Sequence, residues 1–145
     1  MLTISILSAA AVTSALVALL HVYVIVQGAP AYRSFGAGEA LAGMAERGSW
    51  LPALLTAVIT AVFLVFAAYY LSGAGLLPPL PFPKLAMIGI AAIYTLRGAM
   101  VAMALHAPMS PFDFYSSLVS LLVGLLHAGA VWLAWPALAG APAVA

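Results

Sequence analysis

Four long apolar runs constrain this chain more than any other feature of its sequence. They cover about residues 2–27, 50–72, 84–106 and 111–135. Each is close to the roughly 20 residues that a helix needs to cross a bilayer core of about 30 Å. Inside lipid the backbone N–H and C=O groups must be paired within the segment, which favours helices. The sequence therefore predicts an all-α integral membrane protein with four spans.

The composition argues against a separate water-soluble domain. Hydrophobic residues make up 67% of the 145 residues and charged residues only 5%, which is too few to cover a solvated surface. We therefore predict one transmembrane domain over residues 1–145. The net charge of +1 provides no basic patch for nucleic acid, and a chain without cysteine has neither disulfides nor thiolate ligands. No metal site and no cofactor are expected.

The connections between the runs predict how the spans are arranged. Short connections favour an antiparallel four-helix bundle. The first connection is the longest and most polar, and we call residues 28–49 the lid. Good helix formers from 38 to 47 predict a short interfacial helix within it. In an antiparallel bundle the lid and the connection between the third and fourth spans lie on the same side of the membrane.

The third run carries a permanent charge, Arg97, well inside its apolar sequence. Such a charge costs at least a few kcal/mol at membrane depth and normally faces a protein interior or a water-filled cavity. At about 1.5 Å per residue, Arg97, Ser120, Thr60 and His21 all lie about 9–15 Å from the lid side. Tyr94 precedes Arg97 by one helical turn on the same side. We therefore predict a polar site between the helices around Arg97.

The partner that neutralises Arg97 is left open by the sequence. Glu39, together with Arg33, could reach in from the lid, or Asp113 could approach from the start of the fourth span. Water or an anionic ligand could also take this role. Asp113 has a structural interpretation as well, because Ser110 followed by proline and then by an acidic residue is typical of a helix N-terminus. We expect Ser110 and Asp113 to cap the fourth helix.

Several classes of function fit this architecture. The first is non-enzymatic: the site binds a lipid or another amphipathic anion, or the protein is an accessory subunit of a membrane complex. The second is a small membrane enzyme that acts on a lipid, with His21 as acid or base and Arg97 holding an anionic head. The third is a transporter formed by oligomerisation, for which Gly89, Gly98, Gly124 and Gly129 could supply the helix contacts. The expected partners are membrane lipids, further copies of the chain or a larger membrane complex.

Several short segments carry a resemblance to known proteins. They are GAPAYRSFGAGE at 28–39, GSW at 48–50, PALLT at 52–56, YLSGAG at 70–75 and IYTLRG at 93–98. Together they resemble a group of small, uncharacterised four-span bacterial inner-membrane proteins, and the size and span count are similar to those of DoxX-like proteins. The resemblance implies a multi-pass protein of the bacterial cytoplasmic (inner) membrane and no particular activity.

Overall fold

The computed structural model describes residues 1–139, and this part of the chain is helical apart from short connections. The prediction of an all-α fold is confirmed. The helices, in chain order, are α1 Leu2–Gln27, α2 Ala29–Ser34, α3 Glu39–Glu46, α4 Leu51–Gly73, α5 Pro83–Ala99, a 3₁₀ segment Met100–Leu105, and α6 Pro111–Ala139.

Four helical stretches are long and apolar enough to cross a membrane. They are Leu2–Gln27, Leu51–Gly73, Pro83–Leu105 and Pro111–Pro136. Large apolar side chains are exposed on each of them, for example Leu19, Leu64, Leu96 and Leu122. Exposed apolar surface of this extent is unfavourable in water and favourable against acyl chains. The fold is that of a multi-pass membrane protein.

The packing contacts divide the described chain into two compact units. Residues 1–13 and 66–139 form the first, which we call the hairpin unit because it contains α5 and α6. Residues 14–65 form the second, the lid unit, which contains α2 and α3. The two boundaries fall inside α1 and inside α4, so each of these helices has residues in both units.

Two glycines allow α5 and α6 to pack closely. A β-carbon placed on Gly98 would lie 2.7 Å from Cβ of Leu121, and one placed on Gly124 would lie 2.6 Å from Oγ1 of Thr95. Because the residue number falls from 98 to 95 in α5 while its partner rises from 121 to 124 in α6, the two helices are antiparallel. These contacts also fix the register of the hairpin.

The lid contains two short helices where the sequence predicts one. The additional helix is α2, which begins directly after Gly28, whose φ of 68° lies in the left-handed region that favours glycine. Pro30 lies in the first turn of α2, where its missing N–H removes no helical hydrogen bond. Pro30 therefore starts a new helix as well as following the end of α1.

The third span is less regular than the sequence predicts. The α-helix ends at Ala99, directly after the close contact at Gly98, and a 3₁₀ segment continues to Leu105. None of the 3₁₀ residues is buried. The change in helix type directly follows the close contact at Gly98, and such tightening is common at helix ends.

Candidate functional site

Arg97 lies in the last turn of α5, and its guanidinium is held by hydroxyl groups of α6. Nη1 donates to Oγ of Ser117 at 2.6 Å, and Nη2 donates to Oγ of Ser116 at 3.0 Å. The sulfur of Met100 lies 3.9 Å from Nη1. Ser117 is fully buried, with 0% of its surface exposed, whereas Arg97 is half-buried. The cation is therefore fixed at the edge of the helix pair and reaches its surface.

The guanidinium of Arg97 lies nearer the connection between α5 and α6 than the backbone of Arg97 does. In the register set by the two glycines, Leu122 is the residue of α6 opposite Arg97. The guanidinium instead contacts Ser116 and Ser117, about 8 Å closer to the start of α6 at 1.5 Å per residue. Long basic side chains commonly extend towards the membrane surface in this way. Ser120, the predicted partner, lies at the level of the backbone and is not the serine that Arg97 contacts.

Asp113 caps α6 and does not neutralise Arg97. Its N–H donates to Oγ of Ser110 at 3.0 Å, and the Ser110 hydroxyl donates to Oδ2 of Asp113 at 2.6 Å. This is the N-cap geometry expected for Ser110 and Asp113. Within residues 1–139 the ion pairs are those of Arg33, and no carboxylate pairs with Arg97. Asp113 is therefore not the partner of Arg97 among the alternatives that the sequence leaves open, because its carboxylate is taken up by its own helix cap.

Tyr94, a predicted site residue, belongs to a buried aromatic cluster. Its ring packs against the imidazole of His127 with centroids 4.6 Å apart, and the ring of Tyr70 packs edge-on against the same imidazole at 4.6 Å. The Tyr70 hydroxyl donates to the Met87 carbonyl at 3.2 Å. Tyr70, Met87 and His127 are fully buried. We call Tyr70, Met87, Tyr94 and His127 the aromatic cluster; it joins α4, α5 and α6 in the core of the hairpin unit.

Arg33 binds both glutamates of the lid. Nε and Nη2 donate to the two carboxylate oxygens of Glu39 at 2.9 and 2.6 Å, and Nη1 donates to Oε1 of Glu46 at 2.6 Å. The hydrogen bonds from Arg33 lower the pKa of both carboxyl groups, and those same bonds raise the pKa of Arg33. Arg33 is therefore the cation that neutralises Glu39, so Glu39 is not the partner of Arg97 among the alternatives that the sequence leaves open.

His21 and Thr60 have packing roles within the lid unit. Nδ1 of His21 lies 2.7 Å from the Val17 carbonyl, and the imidazole packs against the ring of Phe63 at 5.1 Å. The hydroxyl of Thr60 donates to the Thr56 carbonyl at 2.9 Å. These are local side-chain to backbone bonds that satisfy polar groups inside a helix. They give no geometric support to His21 as an acid or base.

The Arg97 site has the donor capacity to hold an anion. A guanidinium carries five N–H donors, and the two serines use one on each terminal nitrogen. Ser116 in turn donates its own hydrogen to the Asp113 carbonyl at 3.3 Å, so it is oriented as an acceptor for Arg97. Comparison with protein families, with curated proteins and with solved structures found no match to this chain. The chemistry of the site therefore carries the functional argument.

The lid ion pairs predict a pH dependence that can be measured. Because the pKa values of Glu39 and Glu46 are lower in the folded lid than their ordinary value of 4.5, the unfolded lid binds more protons. The pairing is complete at neutral pH and is lost as pH falls through the lowered values, below 4.5. Hydrogen exchange of residues 39–47, corrected for the intrinsic rate, should show constant protection above that pH and loss below it. In Glu39→Gln the protection should already be reduced at neutral pH, while exchange in α4 stays unchanged.

Proposed function

We propose that this protein is a multi-pass protein of the bacterial cytoplasmic membrane that binds an anionic phospholipid through Arg97. The observation that carries the proposal is the environment of the guanidinium: two serine hydroxyls hold it, and no carboxylate among residues 1–139 neutralises it. Four helices long and apolar enough to cross a bilayer support the membrane location. The bacterial inner membrane is part of the proposal and rests on the resemblance of segments such as residues 28–39 and 93–98.

The electrostatics favour an anion at this position. A guanidinium presents its donors in a planar fork that matches the paired oxygens of a phosphate or carboxylate. Because the side chain extends towards the connection between α5 and α6, its charge is closer to the headgroups than the backbone of Arg97 is. Serine hydroxyls fix the direction of the fork and leave its positive charge uncompensated. An anionic headgroup would supply the missing countercharge.

The surroundings of the guanidinium favour a ligand that also carries acyl chains. Leu96, the residue before Arg97, is 70% exposed, and Met100, Met103 and Leu105 are exposed along the 3₁₀ segment. These apolar side chains would contact the hydrocarbon of a ligand whose headgroup sits on Arg97. These side chains face the lipid phase, which is where a phospholipid ligand would come from; the competition with inorganic phosphate below distinguishes the two ligands.

The proposal predicts that removing the guanidinium weakens binding of anionic lipid. Native mass spectrometry of the purified protein, titrated with phosphatidylglycerol or phosphatidylcholine, should give preferential retention of the anionic lipid. Arg97→Ala should lower the affinity for phosphatidylglycerol about tenfold or more, because hydrogen bonds to charged groups contribute about 1.5–3 kcal/mol. The affinity of Arg97→Lys for phosphatidylglycerol should lie between that of the unchanged protein and that of Arg97→Ala, because lysine keeps the charge and loses the planar fork of donors. Arg47→Ala is the matched control, because Arg47 is an exposed arginine of the lid.

Three results would count against this function. If Arg97→Ala and Arg47→Ala retain phosphatidylglycerol equally, Arg97 is not the lipid site. If inorganic phosphate displaces the lipid at equal concentration, the site recognises the phosphate group alone and takes a soluble anion. Retention of a protein subunit with no lipid would favour the accessory role in a membrane complex.

A further inference from the structure

An apolar groove lies between α5 and α6 at the end of the hairpin opposite to Arg97. Its volume is about 570 Å³, within the range of roughly 300–1,000 Å³ that is usual for small-molecule sites. The lining side chains are all apolar, and they include Ile88, Ala91, Ala128, Val131, Trp132 and Trp135. On α6, Ala128, Val131 and Trp135 are spaced as neighbours on one helical face. A groove lined by such side chains fits a hydrocarbon chain.

The dimensions of the groove match one acyl chain within one leaflet. From Ala128 to Trp135 the groove extends for about 10 Å along α6 at 1.5 Å per residue. Half of a bilayer core of about 30 Å is about 15 Å, so the groove covers most of the depth of a leaflet. Trp132 is 81% exposed at its side, and Trp135 lies near its end. Tryptophan is favoured at the level of the headgroups.

A positive charge lies at the Trp135 end of the groove. The ammonium of Lys84 lies 5.0 Å from the centre of the Trp135 ring, which lines the groove. Within residues 1–139 no carboxylate pairs with Lys84. The ring attracts the ammonium through its π-face but does not neutralise its charge. The ammonium is thus held where the headgroup of a lipid seated in the groove would be.

The two cations of the hairpin are separated by about the thickness of a bilayer core. Lys84 pairs with Trp135, whereas the guanidinium of Arg97 lies at the level of Ser116 and Ser117. From Trp135 back to Ser117 along α6 the distance is about 27 Å at 1.5 Å per residue, close to the core thickness of about 30 Å. The two charges therefore face opposite leaflets.

We propose that this groove is a second lipid site, which binds an anionic phospholipid of the leaflet opposite to the one at Arg97. One acyl chain lies in the groove along Ile88, Ala91 and Val131, and the phosphate contacts the ammonium of Lys84. This site does not depend on Arg97, so an experiment can disprove lipid binding at one site without disproving it at the other. A second copy of the chain or another protein would exclude lipid from the groove, and fluorescence quenching separates these cases.

Quenching of tryptophan fluorescence by brominated lipid tests this site directly. The reporter is the full chain with Trp50→Phe and Trp135→Phe, which leaves Trp132 as its one tryptophan and keeps an aromatic ring beneath Lys84. In vesicles of mixed composition, brominated phosphatidylglycerol should bind beside Trp132 about fivefold more strongly than brominated phosphatidylcholine, the factor expected for one basic residue near the membrane surface. Lys84→Gln should reduce the ratio of phosphatidylglycerol to phosphatidylcholine binding beside Trp132 to about one. Arg97→Ala in the same reporter should leave it at about fivefold.

A second reporter is the matched control. The full chain with Trp132→Phe and Trp135→Phe keeps Trp50 in the lid unit, and Lys84→Gln should not change its quenching. Equal quenching of Trp132 by the two lipids before Lys84 is changed would overturn the proposal. A preference that survives Lys84→Gln would also overturn it. Weak quenching of Trp132 by both lipids would mean that protein covers the groove, which equally rules out the lipid.

Discussion

Replacing Gly98 with alanine is expected to lower the free energy of unfolding by about 1–3 kcal/mol, the usual cost of forcing extra atoms into a packed interface. The new methyl group would lie 2.7 Å from Cβ of Leu121, and the backbone of Leu121 would be closer still. A helix backbone cannot rotate aside as the end of a flexible side chain can. The two helices would have to separate along their whole contact.

Gly89→Ala is the matched control for this prediction. Gly89 is also in α5, and a β-carbon placed on it has nothing within 4 Å. Alanine is the better helix former by about 1 kcal/mol, so Gly89→Ala should leave stability unchanged or raise it slightly. Unfolding of the purified proteins by sodium dodecyl sulfate, followed by circular dichroism, measures the stabilities of Gly98→Ala and Gly89→Ala. If Gly98→Ala proves as stable as Gly89→Ala, the close approach of α5 and α6 is incorrect.

Replacing His127 with alanine should cost about 2–5 kcal/mol of unfolding free energy, as for other large side chains removed from a packed core. The imidazole is fully buried, and the rings of Tyr70 and Tyr94 both pack against it. Its Nδ1 lies 2.8 Å from the Val123 carbonyl, and since a carbonyl only accepts, Nδ1 carries a hydrogen. The substitution removes this bond and leaves a cavity between two tyrosines.

His106→Ala provides the comparison, because His106 is exposed just after the 3₁₀ segment. It should change stability by less than about 0.5 kcal/mol, as most surface substitutions do. Near-ultraviolet circular dichroism gives a second measure, since loss of the imidazole frees both tyrosine rings and should reduce their signal. Equal effects of the two substitutions would contradict the aromatic cluster.

The four spans were predictable because their signal is local. An apolar run of about 20 residues has few structural solutions in lipid, whatever its neighbours are. The cap at Ser110 and Asp113 was predictable for the same reason, since both residues belong to one turn. Helix α2 was missed because Pro30 is equally common after one helix and at the start of another, and so short a helix gives too little periodicity to decide.

The partners of Arg97 could not be predicted from the sequence alone. Depth counted along the backbone favours Ser120, but a side chain as long as arginine reaches more than one helical turn from its own Cα. Finding Ser116 and Ser117 needs the register between α5 and α6, which Gly98 and Gly124 set through contacts that no single segment encodes. The adjacent serines at the start of α6 were the available signal. Those two glycines pack between α5 and α6 within the chain, whereas Gly89, another glycine proposed for oligomer contacts, has nothing within 4 Å of an added β-carbon.

The close contact at Gly98 and Gly124 has a mechanical consequence for the charges at the two ends of the hairpin. Lys84 and Arg97 both lie on α5, and their charged groups are held by Trp135, Ser116 and Ser117 of α6. Because α6 cannot slide along α5 without a clash, these contacts keep the two charges a fixed distance apart. A bilayer whose hydrocarbon is thinner or thicker than that distance must deform around the helix pair or tilt it, at a cost of fractions of a kcal/mol per Å. The spacing of the two charges thus sets the hydrocarbon thickness that the hairpin fits without deforming the bilayer or tilting.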